Sequence, residues 1–233
     1  MHPVESSSSS LIAYNVPDWW AVTCADLEGL AGKLIGTMPR GWVRQGDNFI
    51  EICGEYGADA RHLPQELTAL AAATQRIKSS ADPVSVLRAA AFYHLRFQRI
   101  HPLVEGNGRV GRLILAAQLQ GALDLPVLDL LHGLKDWEAD YNRVFASRES
   151  AVRFELLLDL LVRITGILLP PEATALPERL DPVHPQKRLP KQKGPRIAPR
   201  DAAVAKMIQA AHAAPAPSRC HVVCFLLRCA PSG

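Results

Sequence analysis

With 233 residues, 48% of them hydrophobic and 21% charged, the chain is long enough for one well-buried domain plus an appendage. Aromatics at 6% are too sparse for a surface built on base stacking, which speaks against a nucleic-acid platform. The net charge of +3 hides an asymmetry: residues 1–180 hold 17 Lys and Arg against 21 Asp and Glu, whereas 181–233 hold 9 against 2.

In chain order, residues 1–17 contain the run Ser6 to Ser10 and no core-forming pattern, so a disordered start is expected. Apolar residues then recur at helical spacing from Trp19 to Leu34, until Gly36 and Pro39 stop the pattern. Trp42 and Val43, the turn-forming Gln45-Gly46-Asp47-Asn48, and Phe49, Ile50 and Ile52 predict a short β-hairpin. Further helices are expected at Leu63 to Arg76, at 82–99 behind an Asp82-Pro83 start, from Gly108 to about Leu119, at Asp136 to Ser147 and at Val152 to Leu168. In the last of these, Glu155, Asp159 and Arg163 make one polar stripe, so the helix is amphipathic and too short for a bilayer. The predicted architecture is an all-α domain over residues 18–170 with a small hairpin on its surface. A Pro-rich basic linker at 171–200 and a short tail at 201–233, with room for one helix, follow.

Five cysteines, at 24, 53, 220, 224 and 229, suit a reduced cytoplasmic protein better than a disulfide framework, and no secretory signal pattern is present. Cys220-His221-x-x-Cys224 with Cys229 fits no common zinc module. The basic linker is expected to be a solvated tail, not a nucleic-acid contact, and no membrane partner is expected.

The densest chemistry lies in H-P-L-V-E-G-N-G-R-V-G-R, His101 to Arg112. Gly106, Gly108 and Gly111 match a dinucleotide-binding fingerprint, but that needs a preceding strand, and here a helix and Pro102 precede it. A P-loop needs Lys and Ser or Thr after its second glycine; Arg112-Leu113 supplies neither. Taken one residue at a time, the string is ordinary: a histidine capping a helix, a Gly-Asn-Gly turn, an arginine pair on a solvated face. Together the residues make a phosphate site with a base. His101 has a near-neutral pKa and can relieve a hydroxyl of its proton. Glu105 is a hard oxygen donor suited to a Mg²⁺ ion that also holds phosphates. Gly106-Asn107-Gly108 lets backbone N–H groups converge at a helix start, and Arg109 and Arg112 lie three apart on that helix.

The whole string resembles the Fic family signature H-x-F-x-D/E-G-N-G-R-x-x-R and departs from it at Leu103, where the family usually has Phe. The resemblance extends over about residues 25–168. It takes in Gly41-Trp42-Val43-Arg44 and the hairpin after it, His94, Phe97 and Ile100 before the motif, and Asp140-Tyr141 downstream. It implies a Fic-type helical domain and a protein adenylyltransferase, moving AMP from ATP onto a Ser, Thr or Tyr hydroxyl of a target protein with release of pyrophosphate. By that analogy His101 is the base and Glu105 holds Mg²⁺. Gly106, Asn107, Gly108, Arg109 and Arg112 bind the nucleotide, with Tyr141 toward the adenine. The hairpin residues Asn48, Phe49, Ile50, Glu51 and Ile52 form a flap that docks the target by strand addition. The intact Gly-Asn-Gly core favours AMP over other transferred groups. The alternatives are another Fic-type transfer, removal of AMP, or a catalytically weak regulatory or binding protein, with Leu103 as its first sign. Cys24 to Gly29 approximates the family's inhibitory segment, which would bring Glu28 to Arg112; otherwise a separate inhibitor or antitoxin protein is implied.

Overall fold

The computed structural model describes residues 16–46, 51–52, 55–78 and 81–186, and the side chains of Glu51, Ile52, Glu55, Val127 and Leu128 are not among the described parts. Seven α-helices occur among the described residues. Cys220, Cys224 and Cys229, the tail at 201–233 and residues 187–200 of the expected linker lie outside them.

Helix α1 (Cys24–Ile35) opens on a capping box: the Thr23 hydroxyl accepts from the Asp26 N–H, and the Asp26 carboxylate accepts from the Thr23 N–H at 2.8 Å. This start is later than the expected Trp19. The Asp18 carboxylate takes the Trp20 N–H, and Gln118 donates to the Trp19 carbonyl, so 18–23 is bound in an irregular path. Helix α2 (Leu63–Ile77) follows a 3₁₀ turn at Ala60–His62.

Helix α3 (Pro83–Ile100) is the centre of the domain. Asp82 caps it by accepting from the Ser85 N–H at 2.9 Å, with Pro83 in the first turn, as its sequence predicts. Buried residues occupy every side of it, from Val86 through Phe97, so it is enclosed by neighbours rather than lying on a surface. Those neighbours are α2, α4 (Asn107–Leu123) and α7 (Ser150–Thr165). Helices α3 and α4 run antiparallel around the motif loop: His94 meets Gly111, and Gln98 meets Asn107. The contact is tight because Gly111 has no side chain. A Cβ there would lie 2.3 Å from Gln98 Nε2 and 3.2 Å from Phe97 Cδ1.

Helix α6 (Glu138–Ala146) accounts for most of the expected 136–147 element, but α5 (Val127–Asp136) was not anticipated. Its signal was present: Leu130, Leu131 and Leu134 are buried and lie at helical spacing behind Pro126. The polar stripe of α7 is confirmed, with Arg163 bound to Asp159 and to Asp140 of α6.

Two short strands, β1 (Glu51–Ile52) and β2 (Glu55–Tyr56), pair antiparallel. Of the hairpin expected around Gln45 to Asn48, residues 47–50 lie outside the described residues. Val43 bridges to Leu103 of the motif loop, and in the observed pair Glu51 faces Tyr56 and Ile52 faces Glu55.

The chain beyond residue 170 also differs from expectation. A 3₁₀ turn at Pro171–Thr174 buries Ala173, and Leu180 is fully buried. Residues 183–186 then lie along 57–59 as a strap. Ala58 bridges to Pro185, Asp59 N–H donates to the His184 carbonyl at 2.9 Å, and Gln186 N–H donates to the Gly57 carbonyl at 3.0 Å. Glu66, fully buried on α2, accepts from the Val183 and His184 N–H groups and from the His184 ring. The packed body therefore reaches Gln186. Composition hid this because the strap binds through its backbone. No helix of the described residues is long and apolar enough to cross a membrane.

Candidate active site

The motif loop leaves the end of α3 through His101. Its backbone is left-handed, with φ 52° and ψ 62°, one of two non-glycine residues at positive φ among those described. The His101 N–H still reaches the Phe97 carbonyl, and its ring Nδ1 lies 3.3 Å from the Gln98 carbonyl. A carbonyl only accepts, so Nδ1 carries the proton and Nε2 keeps its lone pair. Burial pushes the imidazole down to about 4; the Gln98 carbonyl opposes this and the Arg44 guanidinium adds to it. His101 is therefore uncharged at neutral pH.

Residues 102–104 lie beside Trp42 to Arg44 as a second edge. Arg44 N–H donates to the Pro102 carbonyl and Val104 N–H to the Trp42 carbonyl. Leu103 is fully buried, and its backbone is held by Asn107. The Leu103 N–H donates to Asn107 Oδ1 at 2.9 Å, and Asn107 Nδ2 donates to the Leu103 carbonyl at 2.8 Å. The Asn107 side chain is thus a loop staple, whereas the phosphate contact expected of Gly106-Asn107-Gly108 is one of backbone N–H groups.

Gly106 precedes α4 with φ 81°, and a Cβ there would lie 2.0 Å from Ile35 Cδ1, so conformation and space both call for glycine. Among the described residues no side chain caps this helix start. The first N–H groups of a helix have no partner within it, so this end is open to an anion. Gly108 lies in its first turn. Glu105 is mostly exposed and pairs with the largely buried Arg109 at 3.1 Å. Arg112, one turn on and 2% exposed, sits against the Tyr141 ring, 5.4 Å from its centroid.

Tyr141 is buried. Its hydroxyl lies 2.9 Å from His94 Nε2, and His94 Nδ1 lies 3.1 Å from the Gly111 carbonyl. Burial holds the His94 imidazole down at about 3, partly offset by the Gly111 carbonyl and reinforced by Arg112. The neutral ring donates from Nδ1 and accepts the tyrosine proton at Nε2. Tyr141, expected toward the adenine, instead backs Arg112 from within the core.

Glu28 corrects a second expectation. It does not pair with Arg112. Its two oxygens accept from the Trp42 N–H at 2.7 Å and the Val43 N–H at 2.9 Å, which fixes the chain that bridges to Leu103. Of the expected flap, Asn48, Phe49 and Ile50 lie outside the described residues, and Glu51 and Ile52 form β1. Arg44 carries the most contacts that its sequence position did not announce: its buried guanidinium reaches the carbonyls of His101, Ile100 and Ala58.

The arrangement is a helical domain with an anion-receptive helix start, two arginines, an exposed carboxylate and a neutral imidazole on one loop. Residues 27–119 match the family model described as the Fic/DOC family. No curated protein and no solved structure matches the chain.

Proposed function

We propose that the protein is an adenylyltransferase that moves AMP from ATP to a Ser, Thr or Tyr hydroxyl of a target protein. The observation that carries this reading is the uncapped start of α4 beside an imidazole whose Nδ1 is occupied and whose Nε2 is basic. In the proposed reaction the target oxygen attacks the α-phosphorus and its proton passes to His101 Nε2. The bond from the α-phosphorus to the bridging oxygen breaks, and pyrophosphate leaves. The negative phosphates raise the proton affinity of an imidazole that is depressed in the free chain.

The helix N–H groups around Gly106 to Gly108 receive the phosphate chain. Arg109 exchanges Glu105 for phosphate oxygens, and Arg112 turns from Tyr141 toward the outer phosphates. One exposed carboxylate fits a metal that arrives with its nucleotide, because Mg²⁺ keeps waters and phosphate oxygens as its other ligands. Bound at Glu105, Mg²⁺ would neutralise charge on the phosphates. The β1–β2 edge is the proposed docking flap for an extended target segment, without a part for Glu28 in inhibition. Control by a separate inhibitor or antitoxin protein remains in the proposal.

Purified protein with Mg²⁺ and α-labelled ATP is expected to label itself or a lysate protein, and His101→Ala is expected to abolish the label. Label from the γ-position instead would identify phosphoryl transfer. Absence of ATP binding by calorimetry would identify a binding or regulatory protein and overturn the reading.

A further inference from the structure

We infer that Arg44 is a positioning residue for His101: its guanidinium ties together the carbonyls at the end of α3 and so holds the base in its left-handed backbone conformation. The inference rests on the reading of His101 as the base. Arg44 is 2% exposed. Its Nε donates to the His101 carbonyl at 2.6 Å, and its Nη2 donates to the Ile100 carbonyl at 3.0 Å and the Ala58 carbonyl at 2.7 Å. Its own N–H donates to the Pro102 carbonyl at 2.9 Å. Side chain and backbone of one residue thus contact Ile100, His101 and Pro102.

The physical need is specific. The last carbonyls of a helix have no partner within it, and Pro102 cannot continue the helix. An L-residue in the left-handed region is strained, and the surroundings must over-determine it for the conformation to persist. His101 meets that condition through its N–H on the Phe97 carbonyl, its ring on the Gln98 carbonyl and its own carbonyl on Arg44. Of these, only the Arg44 contact comes from outside α3. A planar guanidinium offers donors in a fixed fork, which the single ammonium of lysine does not reproduce.

Arg44 is itself placed by the fold. Glu28 fixes the Trp42 and Val43 N–H groups immediately before it. Ala58 also donates its N–H to the Ile100 carbonyl at 3.1 Å, and the strap at Pro185 backs Ala58. The base is thus referenced to α1 and to the strap through one side chain.

The test compares wild type, Arg44→Lys and Arg44→Met, each first checked for folding by circular dichroism. Imidazole ¹⁵N chemical shifts read the His101 tautomer, and labelling kinetics read kcat and the KM for ATP. Wild type is expected to show a single tautomer protonated at Nδ1. In the variants this is expected to become a mixture, with kcat falling at least about tenfold while KM stays within about twofold, because a misplaced base loses rate and not nucleotide affinity. Arg44→Lys is expected to lie between the other two, and it decides the matter if Arg44→Met does not fold. A folded Arg44→Lys with an unchanged tautomer and an unchanged kcat would overturn the inference. If wild type transfers no AMP, the functional reading fails on its own, and the ¹⁵N shifts alone uphold or overturn the clamp.

Discussion

Replacing Asn107 separates two roles that the motif alone cannot separate. Its amide is the described partner of both backbone groups of Leu103, a residue with no exposure. The neighbouring ladder uses the Pro102 carbonyl and the Val104 N–H, so it gives no replacement. Asn107→Ala strands one buried donor and one buried acceptor, at about 1–3 kcal/mol each, so a loss of about 2–6 kcal/mol is expected. With a urea slope of about 2 kcal/mol/M, the unfolding midpoint falls by about 1–3 M. Asn107→Asp refines the test. One carboxylate oxygen still accepts from the Leu103 N–H, while the other faces the Leu103 carbonyl, which only a protonated carboxyl can satisfy. The folded pKa of that new carboxyl is therefore raised. Its stabilising contribution is present at acid pH and is lost as pH rises through that pKa, so the deficit against wild type is larger at pH 8 than at pH 5. Urea titrations at both pH values measure this. A change within about 0.5 kcal/mol for Asn107→Ala, accompanied by weakened ATP binding, would refute the staple and make the Asn107 side chain itself a phosphate ligand.

Glu28→Gly is expected to lower stability by roughly 2 kcal/mol, since it strands two N–H groups, and to reduce labelling; increased labelling would restore the inhibitory reading. His94, at about 3, and His101, at about 4, both titrate below the ordinary 6.5. The unfolded chain then binds more protons between those values, so stability is complete above pH 6.5 and falls as pH drops through the window. A loss on the order of 1 kcal/mol per histidine is expected by pH 5.5, before most carboxylates titrate, and His94→Gln should flatten the slope measured by urea unfolding at pH 7.5 and 5.5. Glu66→Ala should free the strap, giving fast amide exchange at Val183 and His184 and early proteolytic cleavage after Leu180; full protection there would mean the strap is held by other contacts.

Much of the helical frame was legible locally. Asp82-Pro83 announces α3, and the apolar spacing of Leu63 to Ile77 announces α2, because caps and one-sided burial leave a periodic trace. The strap left none. Its attachment runs through backbone groups of Val183, His184 and Gln186, and any sequence carries those. Leu130, Leu131 and Leu134 leave such a trace for α5, whereas the bridge from Val43 to Leu103 joins segments far apart in the chain and leaves none.

The same division runs through the site. That His101 to Arg112 gathers an imidazole, a carboxylate, a helix start and two arginines could be read in advance, because these groups lie at short separation along the chain. Which of them face outward was decided only by the fold. Asn107 turns inward to Leu103, Tyr141 backs Arg112, Glu28 supports the bridge to the loop, and Arg44 reaches fifty-seven residues along the chain to His101. Partners so distant in sequence meet because α3 is enclosed by its neighbours, and the sequence alone carries no local periodicity for such a meeting.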